Sequence, residues 1–182
     1  MGTIPLVDPA TAPPAAKQLL DAVQAKLGIV PNLFKVMAHA PGVLGAVLGT
    51  VDALGKGKLD GKLRERIALA VAESNRCGYC VSAHTAIGKM NGLSEGEIND
   101  ARDYKAGDAR TQTALRFVER VVTRRGAVEP SDVESLRKAG FDNGEIIEIV
   151  ANIVNNILTN YVNLVASTEI DFPKVALHAR VA

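Results

Sequence analysis

The chain has no tryptophan, and aromatic residues make up only 4% of its 182 positions. That is too few for the stacking platforms on which single-stranded nucleic acids are held. Neither charge is in excess: 21 Lys and Arg stand against 20 Asp and Glu, interleaved, for a net charge of +1. The basic footprint of a nucleic-acid surface is therefore missing. Two cysteines in a chain of this size are not the disulfide framework of a small secreted domain. The opening M-G-T-I-P-L-V-D-P lacks the basic region and long apolar run of a signal peptide. Leu6 stands where a myristoylation pattern requires Ser or Thr. No stretch is expected to reach the apolar length of a membrane span. Together these absences lead to the expectation of a cytoplasmic protein with neither a nucleic acid nor a membrane as partner.

Strand signals are also scarce. No β-branched alternating runs bounded by hairpin turns occur. Apolar residues instead recur at three- and four-residue spacing, and at 47% they suffice for a core. The punctuation predicts eight or nine helices. They run over Ala15 to Leu27, Asn32 to Ala40, Pro41 to Leu54, Asp60 to Ser74, Gly78 to Met90, Ser94 to Arg102 and Ala109 to Arg125. A helix capped by Ser131 or Asp132 and ended by Gly140 follows, and a last one covers Gly144 to Ala166. The fold class expected is all-α, a single domain over 1–182. K-A-G-F-D-N-G-E-I (138–146) echoes K-M-N-G-L-S-E-G-E-I (89–98). A longer register pairs Asp60 with Asp142, Ile67 with Ile149 and Tyr79 with Tyr161. It suggests a duplicated helical hairpin, with a core motif at 59–91 and a degenerate copy at 141–167.

Both cysteines lie in one stretch, E-R-I-A-L-A-V-A-E-S-N-R-C-G-Y-C-V-S-A-H (65–84). C-x-x-C followed by His84 is read as a redox dithiol or as part of a zinc site. A structural zinc site needs four closed ligands, whereas Cys77, Cys80 and His84 supply three. The dithiol reading is preferred, and no metal or cofactor is expected. Cys77 falls at a helix N-terminus, where the dipole and free N–H groups favour a thiolate. His84 follows Cys80 by one turn and can accept its proton. Glu65, on the preceding helix, comes near His84 if the two helices pack antiparallel. Helix position favours Cys77 as the nucleophile and the His84 spacing favours Cys80. Spacing alone leaves this open.

The pattern Glu, eleven residues, Cys-x-x-Cys, three residues, His resembles the alkyl hydroperoxidase D-like branch of the carboxymuconolactone decarboxylase superfamily. G-I-V-P-N-L-F-K-V-M-A-H-A-P (28–41) is similar to that family's entry helix, and T-N-Y-V-N-L-V-A-S-T-E-I-D-F-P (159–173) to its peroxidase-related subgroup. The resemblance implies an all-helical subunit in a homotrimer or hexamer. It implies a thiol peroxidase acting on a hydroperoxide and re-reduced by an external dithiol or thiol protein. By position Cys80 matches the peroxide-attacking cysteine, Cys77 the more accessible resolving cysteine, and His84 and Glu65 the proton relay. Tyr79 departs from the pattern, since alkyl hydroperoxidase D has a relay histidine just before the second cysteine. Two other readings remain open: lyase or isomerase chemistry on a small acid using His84 and Glu65, and a non-catalytic redox-sensing oligomer.

Further residues are weighed on chemistry alone. Glu73 is a second choice for a site carboxylate, and Arg76 can lower a neighbouring thiol's pKa. His39 and His178 are expected at the surface or in packing. Asn152, Asn156, Asn160 and Asn163 form one stripe on the last helix. Their first reading is burial with amide hydrogen bonds, ahead of a direct role in a pocket.

Overall fold

The computed structural model describes residues 2–179. Among them lie nine α-helices and no strand: α1 Pro14–Leu27, α2 Asn32–Met37, α3 Pro41–Gly55, α4 Gly61–Ser74, α5 Gly78–Met90, α6 Glu95–Arg102, α7 Ala109–Thr123, α8 Pro130–Lys138 and α9 Asn143–Ala166. The all-α expectation holds, and the boundaries read from Pro, Gly and capping residues agree closely. One cap differs. α8 is capped by Glu129, not by Ser131 or Asp132. Pro130 takes the first helical position, which has no need of an N–H, and Asp132 instead accepts the Glu129 N–H at 3.1 Å.

α4 is the central element, packed against α5, α6, α7 and α9. Its first turns carry Lys62, Arg64, Glu65 and Arg66, and then I-A-L-A-V-A runs without a polar residue. Ile67 through Glu73 are all buried. Alanines at 68, 70 and 72 let neighbouring helices come close on more than one side. One apolar cluster joins α4 to α6, α7, α8 and α9 through Ile67, Leu69, Leu115, Val118, Leu136, Ile149 and Ile153. A second joins α1, α2, α3 and α5 around Leu20, Leu44, Val47, Cys77, Cys80 and Val81.

α9 is one uninterrupted helix of 24 residues. The segment 141–167 is thus not a second helical hairpin: where 59–91 breaks at Asn75-Arg76, the later segment continues through Ile157-Leu158. The local echo has a direct cause. Gly92 (φ 83°) and Gly140 (φ 87°) each end a helix in the left-handed region. Each is followed by a capping box, Ser94 with Glu97 and Asp142 with Glu145. By length and apolar content α9 does reach what a membrane span requires, contrary to expectation. Here it lies against α4, α5 and α7, with Asn152, Asn156, Asn160 and Asn163 all buried on the inward face.

After α9 the chain runs without regular structure back across α2 and α5. Ile170, Phe172, Val175 and Leu177 pack on the cluster that holds the cysteines. Polar contacts fasten this strap. Asp171 accepts the Asn32 N–H at 2.8 Å, Ser82 Oγ accepts the Val175 N–H at 3.0 Å, and Glu73 accepts the His178 N–H at 2.9 Å. Arg102 donates to Glu73 and to the Ala176 carbonyl, and Arg76 donates to Glu73 and to the His178 carbonyl. Glu73 is therefore a strap anchor, not a neighbour of the thiols.

Glu73 and Arg102 are 7% and 5% exposed. Truncating one member of such a pair strands the other's charge in the interior. Glu73→Ala is expected to cost about 3–5 kcal/mol. Chemical denaturation should register that loss, together with earlier proteolytic cleavage of the C-terminal strap. A loss under about 1 kcal/mol, the level of an exposed pair, would contradict this role.

Candidate active site

The turn between α4 and α5 fixes the dithiol. Asn75 ends α4, and Arg76 takes the left-handed conformation (φ 58°) that usually falls to glycine. The Arg76 N–H bonds the Glu73 carbonyl at 3.0 Å, and the Cys77 N–H bonds the Ala72 carbonyl at 2.9 Å. This is a Schellman closure, and its last residue is also the N-cap of α5. Cys77 thus ends one helix and starts the next. Its sulfur accepts the Cys80 N–H at 3.3 Å, as a serine or aspartate oxygen would at an ordinary N-cap.

Both thiols are free, with sulfurs 2.8 Å apart, within hydrogen-bond reach. They are 1% and 3% exposed. The expectation that Cys77 is the more accessible cysteine is thus not met: both lie inside a cluster on which the strap packs. Gly78 lies under Ile170, and the Tyr79 ring meets Phe172 edge to face at 5.7 Å. Tyr79 Oη accepts the Leu33 N–H at 3.1 Å. Burial pushes the Tyr79 phenol up, so it stays neutral. The residue in the position of the family's relay histidine is here a packing post between α2, α5 and the strap.

The structure brings Glu65 and His84 together. The Glu65 carboxylate meets His84 Nδ1 at 2.8 Å across the α4–α5 pair. Burial alone would depress the His84 pKa. The Glu65 charge and hydrogen bond oppose it, the charge at Cys77 and the Asn156 amide add to them, and the net shift is upward. On the thiols the directions are opposite. Cys77 is lowered, first by the hydrogen bond from Cys80, against burial, and then by the Cys80 backbone N–H and the charge of His84. Cys80 is raised, first by its bond to Cys77 and then by burial and the Cys77 charge. Of the two sulfurs Cys77 is therefore the readier to ionise, and the charge on His84 favours its thiolate. The backbone donor at the helix end contributes to this difference, behind the bond between the two sulfurs.

α9 completes the site with residues whose first reading was structural. Asn163 Nδ2 donates to Cys80 Sγ at 3.2 Å. Asn75 Nδ2 donates to Asn160 Oδ1 at 3.0 Å. Both carboxamides favour the ionised form of Cys80. Asn152 and Asn156 each donate to a carbonyl of their own helix at 2.8 Å; Asn152 fits the structural reading, while the Asn156 amide also acts on His84. The i+3 and i+4 spacing was visible in the sequence, but the partner 83 residues away was not. His39 bonds the Pro5 carbonyl at 2.8 Å and His178 bonds Asp103 at 2.9 Å, both away from the thiols.

Residues 41–120 match the carboxymuconolactone decarboxylase family model. No curated protein matches the sequence. Among solved structures, the chain is similar to a peroxidase-related protein with an alkylhydroperoxidase AhpD core from Ralstonia eutropha JMP134. The two are 29% identical over 93% of this chain and 92% of that one, with a TM-score of 0.84. It is also similar to a peroxidase-related protein from Silicibacter sp. TM1040, at 27% identity over 91% and 88% of the two chains and a TM-score of 0.80. The debrominase Bmp8, solved with 2,3,4-tribromopyrrole, shares the fold at 19% identity over 92% and 91% of the two chains, with a TM-score of 0.78.

Two titrations follow from these directions. Cys80→Ala removes the largest cause of the Cys77 depression, so the Cys77 thiolate should form at higher pH, read by its ultraviolet absorbance. Glu65→Gln should lower the His84 pKa, read by nuclear magnetic resonance of the ring protons. A group raised on folding stabilises fully below its unfolded pKa, and the contribution is lost as pH rises through the folded value. The wild type should therefore exceed Glu65→Gln in stability most at acid-to-neutral pH and least in alkali. An unmoved His84 titration would remove Glu65 from the role of its charge partner.

Proposed function

We propose that the chain, which is similar to the alkyl hydroperoxidase D-like branch of the carboxymuconolactone decarboxylase superfamily, is a cysteine-dependent peroxidase with Cys77, Cys80, His84 and Glu65 as its working groups. One observation carries the reading: two free sulfurs 2.8 Å apart at a helix N-terminus, with a carboxylate-held histidine on the same helix pair.

The chemistry starts from a thiolate at Cys77. As a hydroperoxide arrives, the Cys80 proton crosses to Cys77. The Cys80 thiolate attacks the terminal peroxide oxygen; an S–O bond forms and the O–O bond breaks. The departing alkoxide takes a proton from the His84 imidazolium, which Glu65 has kept charged. His84 thus serves the leaving group, whereas the family resemblance has it removing the Cys80 proton. The Cys77 thiol then attacks the Cys80 sulfenic acid. A disulfide forms, and the hydroxyl leaves with the thiol proton as water. An external dithiol restores the pair by exchange.

We assign the expected self-association to the outer face of α9. Ile147, Val154, Leu158, Tyr161 and Val165 are exposed there at alternating seven-, four- and three-residue steps. That spacing is the seam of a helix packed on another helix, here the same stripe of a second copy.

The test is stoichiometric. Reduced protein given one equivalent of an organic hydroperoxide should lose two thiols per peroxide and gain a Cys77–Cys80 disulfide. Cys80→Ser should lose peroxide turnover by at least about a hundredfold. Cys77→Ser, which lacks the acceptor of the Cys80 proton, should consume one equivalent more slowly and stop at the sulfenic acid. Inert wild-type thiols would overturn the reading. Activity on a small acid that survives replacement of both cysteines would replace it with lyase chemistry on His84 and Glu65.

A further inference from the structure

The stripe on α9 is not uniform. Asn152 and Asn156 each settle an amide N–H on a carbonyl of their own helix. Asn160 and Asn163, 0% and 4% exposed, turn toward the dithiol instead. Each is half committed. Asn160 Oδ1 is held by Asn75, and Asn163 Nδ2 is spent on Cys80 Sγ. The other half of each amide, Asn160 Nδ2 and Asn163 Oδ1, is buried and makes no hydrogen bond among the described residues, although the Asn160 carboxamide faces Cys80 closely enough to favour its thiolate. Buried polar groups are nearly always satisfied, so two orphans three residues apart on one helix face, beside a reactive sulfur, need a reason.

They are complementary: one is a donor and the other an acceptor. A carboxylate would satisfy only the donor, and an apolar molecule neither. A group that both gives and accepts a hydrogen bond, such as a hydroperoxyl or a sulfenic acid, satisfies both. We propose that Asn160 and Asn163 form a cradle at Cys80 that holds the terminal O–H of an incoming hydroperoxide and then the same oxygen once it is bonded to sulfur. The cradle rests on the thiol-peroxidase reading of this site. Its balance is that of the first step above: thiolate and hydroperoxide give sulfenic acid and alkoxide, and the alkoxide is protonated by His84. The oxygen that leaves the peroxide bond stays with Cys80, so one donor–acceptor pair serves it before and after transfer. The bond from Asn75 sets the Asn160 amide in place, which makes Asn75 a positioning residue.

The experiment compares two reactions of Cys80 in a Cys77→Ser background, where oxidation halts at the sulfenic acid. One is consumption of an alkyl hydroperoxide. The other is alkylation by a small neutral reagent that brings no O–H. Asn160→Leu keeps the branched shape and removes the donor. It should lower the ratio of the oxidation rate to the alkylation rate by about tenfold or more, as losing one aimed donor does elsewhere. A change in thiol ionisation alone moves both rates together and leaves the ratio fixed. Asn75→Ala, outside the cradle, should lower the ratio by a smaller factor, and it decides the matter if Asn160→Leu does not fold. An unchanged ratio overturns the cradle while leaving the peroxidase reading intact. If Cys80 in the Cys77→Ser protein, with both asparagines present, is alkylated and still fails to consume peroxide, both are overturned.

Discussion

The structure turns on one residue serving two helices. Cys77 closes the Schellman turn of α4 through its N–H and caps α5 through its sulfur. The link leaves the dithiol little freedom: its geometry is set by backbone hydrogen bonds on both sides. It also sets the antiparallel α4–α5 pair that carries Glu65 and His84 to each other. Arg76 accepts a left-handed backbone at this turn, which costs a non-glycine residue about 1–2 kcal/mol. The same side chain reaches Glu73 and the strap carbonyl at His178. Residues that fasten the strap thus also brace the turn.

Charge follows from this placement. Cys77 is eased toward the thiolate first by the hydrogen bond from Cys80, and then by the backbone donor that a sulfur at an N-cap receives and by the charge of His84. Cys80, one turn in, has carboxamide donors from α9 instead. The two sulfurs stand in different fields although they almost touch. A proton moving between them moves the reactive charge from the helix end to the asparagine side of the site.

The fold was legible in the sequence because its signals are local. Pro31 and Pro41 open helices, Gly28, Gly92 and Gly140 close them, and Asp60 and Ser94 cap them. Glu65 and His84 were legible because a short turn between two helices makes them neighbours. What was hidden depends on long-range packing. Asn163 meets a cysteine from the far end of the chain, and Glu73 looks like a site carboxylate until Arg102 and the strap are seen around it. The apparent second hairpin was a different kind of miss. A Gly stop followed by a capping box recurs wherever one helix ends and another begins, so it imitates duplication. The burial of Cys77 could not be foreseen, because the residues that pack on its cluster lie about ninety positions later in a segment without periodicity.

That packing has a further meaning. With both sulfurs buried in a cluster on which Ile170, Phe172 and Val175 pack, their rate with any reagent is the product of two factors: the intrinsic reactivity of the thiolate, and the fraction of time the strap is lifted. A molecule small enough to slip past the strap samples only the first factor. A protein-sized one samples both. The same dithiol therefore presents two apparent reactivities, set by the size of what approaches it.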